Sequence, residues 1–361
     1  MMVMMMLFFN RFNMTAHISL LYSEPFFLSK RSAKLKTFSF IKRGGFICEE
    51  ISTGKQFMKC LRLIFFLSLS APLFCQQVNS PDTSDLLQDK EFLTKFFKRR
   101  AKLTMNWDNP ITFCEKIQWM KLYNRHPIQT ICADKYLARK FVAEHVGPDI
   151  LIPLFGVYKN ANEIDFTKLP SKFVLKANHG CAWNIICKNK ETLDQDVVRK
   201  NLNSWLQIDY STYGGEWVYK NIPRRIICEQ FIGEDDNDVP DFKFYCFNGK
   251  PEFVQVSLER FHHHKMAFYN MSWEKQPLSI TYPPYSGPIE KPVNFERMVE
   301  IAKKLSENFK FIRVDLYNVK GKIYFGELTF YPGDGILEFM PKSYDLIFGD
   351  LLDLNDPSCP Y

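Results

Sequence analysis

At 361 residues, with 46% hydrophobic and 16% aromatic content, the chain excludes a disordered polymer and allows two domains with real cores or one large α/β body. Its formal charge of +7 resides in residues 1–76, which hold ten Lys/Arg and three Asp/Glu. Residues 77–361 balance 37 basic against 37 acidic side chains, so they carry no electrostatic footprint for nucleic acid. Ten cysteines without metal-ligand spacing, seven of them after residue 76, give neither a zinc site nor a disulfide framework and read as mostly reduced and buried.

Residues 1–57 show no period and are expected to stand outside the fold of the rest, as an unstructured leader or one upstream of the true start. Residues 58–76, MKCLRLIFFLSLSAPLFCQ, place two basic residues before a short apolar run, the layout of a signal peptide or an uncleaved anchor. From Thr112 the pattern is globular. Asp134 is expected to cap a helix with Leu137, Phe141, Val142 and Val146 at helical spacing, ended by Gly147. Lys135 falls in its first turn, where a bound anion would suit it.

The stretch ILIPLFGVY reads as a buried strand. KFVLKANHGCAWNIICK reads as a strand over 173–177, a loop with His179 and Gly180, and a strand over 185–188. Lys176 leads into that loop, where flexible backbone can close over phosphates while the ammonium neutralises them. His179 reads as a loop-shaping residue. Thr192 and Gln195 form an expected capping box. RRIICEQFI is a strand with Glu229 near its end, followed by an acidic linker, and DFKFYCFNGKPEFVQV is a hairpin turning at Asn248-Gly249. On its first strand Asp241 and Lys243 share a face as an expected surface ion pair. His262, His263 and His264 point alternately on an extended chain and do not suit one metal ion. A helix with Phe295, Met298, Val299, Ala302 and Leu305 on one stripe follows.

The stretch FIRVDLYNVKGKIYFGELTFYPGDG (311–335) reads as strand, turn, strand. Arg313, Asp315 and Tyr317 share a face, as do Phe325, Glu327 and Thr329. An odd-sized loop centred on Gly321 sets Asp315 opposite Glu327 and Arg313 opposite Thr329. Two carboxylates so close need a cation between them, and oxygen-only ligands suit magnesium carrying nucleotide phosphates. An ordinary hairpin with Arg313 bridging to Asp315 or Glu327 is the plainer alternative.

In this order the motifs TFCEKIQWMKLYNR, ADKYLARKFVAEHVG, KFVLKANHG, DFKFYCFNGKP, FIRVDLYNVKGKIYFGELTF and the closing P-x-x-x-D-x-x-x-G resemble the TupA-like ATP-grasp family, named for teichuronopeptide biosynthesis, over roughly residues 95–355. The resemblance implies an α+β ATP-grasp fold in which two α+β subdomains grip a nucleotide. An N-terminal helical region would span 77–150, a small subdomain 151–230 and a large one 231–361. It also implies ATP and Mg2+ as cofactors. Lys135 and Lys176 would be the phosphate lysines, and residues 179–184, including His179 and Gly180, the glycine loop. Glu229, Gln230 and Ile232 would form the adenine hinge, Asp241 would hold the ribose, and Asp315 and Glu327, with Thr329 beside them, would hold the metal. Arg313 would stand near the transferred phosphoryl group, with Lys176 as the second catalytic cation. Thr329 replaces the asparagine of D-alanine–D-alanine ligases, and Cys181, Ala182 and Trp183 occupy a loop where small residues are commoner.

The resemblance implies an ATP-dependent carboxylate–amine ligase acting through an acyl phosphate on a uronic-acid or glycan-linked substrate. Its catalytic domain is expected where ATP is available, on the cytosolic side of a membrane that residues 58–76 could contact. The rivals are a glycosyltransferase of the same glycan pathway, which depends on a sugar-nucleotide site typically built on D-x-D, and an inactive nucleotide-binding module.

Overall fold

The computed structural model describes residues 4–9, 16–21, 35–39, 83–233, 239–258 and 265–361. The chain divides into two units, Met1–Gln77 and Val78–Tyr361. In the first, β1 (Met4–Phe9), β2 (Ala16–Leu21) and β3 (Leu35–Ser39) form an antiparallel sheet, pairing Met4 with Leu21 and His17 with Ser39. Parts of the expected leader thus form strands of their own. The signal-like segment 58–76 and the histidine triplet 262–264 lie outside the described residues. No helix among the described residues is long and apolar enough to cross a membrane.

The second unit opens with α1 (Thr83–Ala101), α2 (Phe113–Tyr123), α3 (Pro127–Ala133) and α4 (Ala138–His145). Next come β4 (Leu154–Tyr158), β5 (Phe173–Ala177), β6 (Asn184–Cys187), α5 (Gln195–Trp205), α6 (Ser211–Gly214) and β7 (Ile226–Gln230). These strands form an antiparallel sheet in the order β4-β7-β5-β6. Phe173, Leu175, Ile226 and Cys228 of the sheet bury against Val198 and Leu202 of α5, together with Phe166 and Leu169. The cap of α5 is Asp194, whose carboxylate accepts from the Val197 amide at 3.0 Å, and not the expected Thr192. A carboxylate at a helix start also meets the positive end of the helix dipole.

The larger sheet follows from β8 (Asp241–Phe247), β9 (Lys250–Leu258), β10 (Lys265–Asn270), β11 (Lys275–Gln276), β12 (Ser279–Ile280), α7 (Phe295–Ser306), β13 (Phe311–Val319), β14 (Lys322–Thr329), β15 (Phe339–Met340) and α8 (Ser343–Leu351). Its antiparallel order is β11-β10-β9-β8-β13-β14, with β12 and β15 paired separately. One face is apolar: Phe242, Phe244, Val314 and Leu316 bury in the same core as Phe295, Met298, Ile301 and Leu305 of α7. Ile301 takes the buried place expected of Val299, which is only partly covered. At one end of the other face, Phe247 and Phe311 meet Phe113 and Phe348 at ring separations of 4.9–6.0 Å. Two residues beyond Phe311 that face turns ionic.

The closing P-x-x-x-D-x-x-x-G motif is a docking device. Asp345 accepts from the Cys114 amide at 2.9 Å, and Lys116 donates to the Gly349 carbonyl at 2.8 Å. A Cβ on Gly349 would lie 2.2 Å from the Ile111 carbonyl oxygen, so only glycine allows α8 this close to the start of α2.

Candidate active site

The β13–β14 register sets Asp315 opposite Glu327 and Arg313 opposite Thr329, but the loop is not odd-sized. Val319 pairs with Lys322, leaving Lys320-Gly321 as a two-residue turn with φ of 49° and 83°. That is the left-handed pair of a tight hairpin turn. The register instead shifts between Asp315 and Leu316, because Gly326 is an extra residue on β14. The bulge also separates Phe325 from Glu327: Phe325 is buried opposite Leu316, whereas Glu327 and Thr329 lie on the ionic face. The expectation that Phe325, Glu327 and Thr329 share a face is therefore corrected. A Cβ on Gly326 would come within 3.0 Å of the Asp315 carbonyl oxygen, so the bulge is built on glycine.

Three carboxylates and three cations meet on this face. Arg313 grips Asp315 with two bonds of 2.7 Å and reaches Glu327 at 3.4 Å and the Thr329 hydroxyl at 3.2 Å. Lys243 lies between Asp315 at 2.5 Å and Asp241 at 2.6 Å. It was expected in a surface pair; instead Asp241 is buried and Lys243 nearly so, because both face the cluster from β8. Lys135 pairs with Glu327 at 3.0 Å and donates to the Gly180 carbonyl at 2.8 Å, tying the glycine loop to the carboxylates. Burial pushes the Lys135 and Lys243 ammonium groups down, but Glu327 on the first and Asp241 and Asp315 on the second outweigh it, and both end above the ordinary lysine value. Burial likewise pushes Glu327 up, and Lys135, Lys243 and Arg313 together hold it well below the usual carboxylate range.

Lys135 does not lie in a first helical turn. It sits in the turn before α4, where Asp134 accepts from the Tyr136 and Leu137 amides at 2.8 and 3.3 Å. Asn178 anchors that turn: its side chain donates to Asp134 at 2.8 Å, and its carbonyl accepts from the Lys135 amide at 3.1 Å. Lys176 stands in a separate pair, 2.6 Å from Glu229, which Arg139 also grips at 3.0 Å. Glu229 is buried, Gln230 is exposed at the strand end, and Ile232 is half-buried at the start of the linker.

The structure sets His179 inside the loop, where it supports the backbone, as the sequence reading of a loop-shaping residue expects. It is 1% exposed, its ring nitrogens lie 3.2 Å from the Trp205 carbonyl and 3.4 Å from Asn178, and its ring meets Trp183 edge-on. Burial lowers its pKa to about 4. Gly180 has the close approach its loop needs, since a Cβ there would meet Trp183 at 2.6 Å.

Asp315 and Glu327 offer oxygen donors side by side on adjacent strands, a set that fits magnesium, with the Thr329 hydroxyl 3.3 Å from Glu327. No group of three His, Cys, Asp or Glu able to hold a metal occurs among the described residues. Any such ion therefore depends on further oxygens from a ligand. Sequence reasoning missed Lys243, Arg139, Asn178 and a second buried group, Lys121 with Glu216. The alternation Asp241-x-Lys243 and the spacing Lys135-x-x-x-Arg139 were the signals for the first two. Lys121 is pushed down by burial to about 8, and burial drives Glu216 above the usual carboxylate range.

Two D-x-D triplets do occur in the chain. Asp194-Gln195-Asp196 is the exposed start of α5, and Asp236-Asn237-Asp238 lies outside the described residues. All seven cysteines among the described residues are free, and only Cys181 is exposed.

A family model described as TupA-like ATPgrasp matches residues 115–353. No curated protein matches. Among solved structures the chain is similar to D-alanine–D-alanine ligase from Bacillus anthracis complexed with ATP, at 17% identity over 72% of this chain and 80% of that one, with a TM-score of 0.38. It is also similar to D-cycloserine synthetase DcsG, at 15% identity over 74% and 79%, TM-score 0.36. A RimK domain ATP-grasp protein from Sphaerobacter thermophilus DSM 20745 shows 11% identity over 73% and 95%, TM-score 0.35.

Proposed function

Because this chain belongs to the TupA-like ATP-grasp family, we propose that it is an ATP-dependent carboxylate–amine ligase working through an acyl phosphate. The observation that carries the reading is the charge-balanced cluster of Asp241, Asp315 and Glu327 with Lys135, Lys243 and Arg313, joined through Lys135 to the glycine loop. Phosphate oxygens arriving there compete with the carboxylates for Lys135 and Arg313, and freed Asp315 and Glu327 oxygens can then hold magnesium. That ion, when bound, neutralises phosphate charge.

The substrate carboxylate oxygen attacks the terminal phosphorus, the bond to the ADP oxygen breaks, and an acyl phosphate forms. An amine then attacks the carbonyl carbon, phosphate leaves with its bonding electrons, and the ammonium proton passes to phosphate or solvent. Arg313 steadies charge on the phosphoryl group and on the tetrahedral intermediate, and Lys135 and Lys176 neutralise phosphates. Glu229, Gln230 and Ile232 form the adenine edge, and Asp241 holds the ribose.

The acceptor class we propose is a uronic-acid or glycan-linked carboxylate, and the working place is the cytosolic side of a membrane touched by residues 58–76. The domain division proposed is a helical region to 150, a small subdomain to 230 and a large one beyond. Thr329, occupied by Arg313 and Glu327, is the observation that favours a second reading as an inactive nucleotide-binding module. An ADP-release screen of the full chain against uronic acids, amino acids and glycan fragments separates them. Acceptor-dependent ADP supports the ligase, ATP binding without ADP from any pair supports the module, and turnover of sugar nucleotides alone overturns both.

A further inference from the structure

One side chain ties three segments of the candidate site together. Asn178 follows β5 directly, between Lys176 and Gly180, and is fully buried. Its backbone extends the β5–β7 pairing by one step, since its amide donates to the Arg225 carbonyl at 3.0 Å, next to the Ala177–Ile226 pair. Its side-chain amide is engaged at both ends. Oδ1 accepts from the Arg225 amide at 2.7 Å, and Nδ2 donates to the Pro223 carbonyl at 3.0 Å and to Asp134 Oδ1 at 2.8 Å. Aspartate has no hydrogens for those two acceptors, and serine has only one.

The last of these bonds reaches the residue before Lys135. Asp134 Oδ1 also accepts from the Tyr136 and Leu137 amides, while Oδ2 is buried with no hydrogen-bond partner among the described residues. A buried oxygen left unpaired lowers stability. An exposed aspartate would hold the same turn without that penalty, so the burial serves the contact with Asn178. Lys135 is then gripped at both ends by carbonyls of one loop. Its amide donates to Asn178 at 3.1 Å and its ammonium to Gly180 at 2.8 Å, with Glu327 3.0 Å from the same ammonium.

We propose that Asn178 is a positioning residue of the nucleotide site, setting the Lys135 ammonium against the glycine loop before ATP arrives. The inference rests on the ligase reading, in which Lys135 is a phosphate lysine, and it adds a residue that itself touches no substrate. A lysine side chain has many rotamers, and holding its backbone and its head in advance removes an ordering cost from the binding step.

The test is a double-mutant cycle on the full chain. It is read as affinity for a fluorescent trinitrophenyl analogue of ATP with magnesium, with a circular-dichroism melt of every variant. Asn178→Ser is expected to weaken binding about tenfold in the parent and less than about twofold in Lys135→Met, where the contact it organises is already gone. A residue that only supports the fold weakens both backgrounds by one factor, and that result overturns the proposal. Parent-like affinity in Asn178→Ser also overturns it. Asp134→Ser keeps an oxygen for the turn amides but shortens the link to Asn178. It runs through the same cycle with the same expectation, and carries the test if Asn178→Ser does not fold. If neither variant folds, Asn178 is a structural residue and the proposal falls. A parent that binds no analogue overturns the ligase reading too; a parent that binds it, with equal losses in both backgrounds, removes only the role of Asn178.

Discussion

Asp315 and Glu327 look equivalent as a facing pair, yet the structure predicts different outcomes when each loses its charge. Asp315 is 2% exposed and carries both Arg313 and Lys243, so Asp315→Asn leaves two buried cations short of a counter-charge. Breaking a buried ion pair from one side costs about 3–5 kcal/mol, which in a unit this size lowers Tm by roughly 6–20 °C. The Glu327 side chain is 26% exposed, and Lys135 and Thr329 can keep bonding an amide in its place. Glu327→Gln therefore costs about 1 kcal/mol, a Tm change of roughly 2–4 °C. Its catalytic effect should be larger, on the order of 10²–10³-fold in ADP release, comparable to removing one preorganised electrostatic contact. Thermal melts by circular dichroism and ADP release with the acceptor found by the screen measure both quantities. A Glu327→Gln protein that melts like the parent and keeps full ATP-dependent turnover would refute the carboxylate-pair assignment.

Three further outcomes follow from particular contacts. Lys135→Met removes the bridge between Glu327 and the Gly180 carbonyl, and should weaken ATP-analogue binding at least tenfold, about 1.4 kcal/mol, in a direct titration. Gly326→Val forces a branched side chain against the Asp315 carbonyl and the Tyr317 ring, and should cost about 1–3 kcal/mol in urea unfolding; an unchanged midpoint would mean the bulge is not tight. His179 has a depressed pKa, so the unfolded chain binds the proton first as pH falls below 6.5. Its contribution to stability is intact above that value and declines toward pH 4, by about 3 kcal/mol in all at 1.36 kcal/mol per unit. His179→Asn should flatten that window in denaturant titrations at several pH values.

Local chemistry made much of this protein legible in one dimension. Asn248-Gly249 and Lys320-Gly321 turn because both residues of each pair adopt positive φ, and the alternation along 241–247 and 311–317 separates an apolar face from an ionic one. Order of motifs then sufficed for the family. Even the bulge left a trace: buried Ile323 and Phe325 are two apart, but the next buried residue, Leu328, is three away. What the chain could not declare alone was which charges meet. Lys243 reads as solvated until β13 is laid beside β8, and nothing local announces the burial of Lys121, since two of its three partners are the distant carbonyls of Gly214 and Asp334. Backbone preference and face alternation act over a few residues and are written in order. Burial and ion pairing depend on distances between segments far apart in the chain, and these exist only once the sheets and helices have packed.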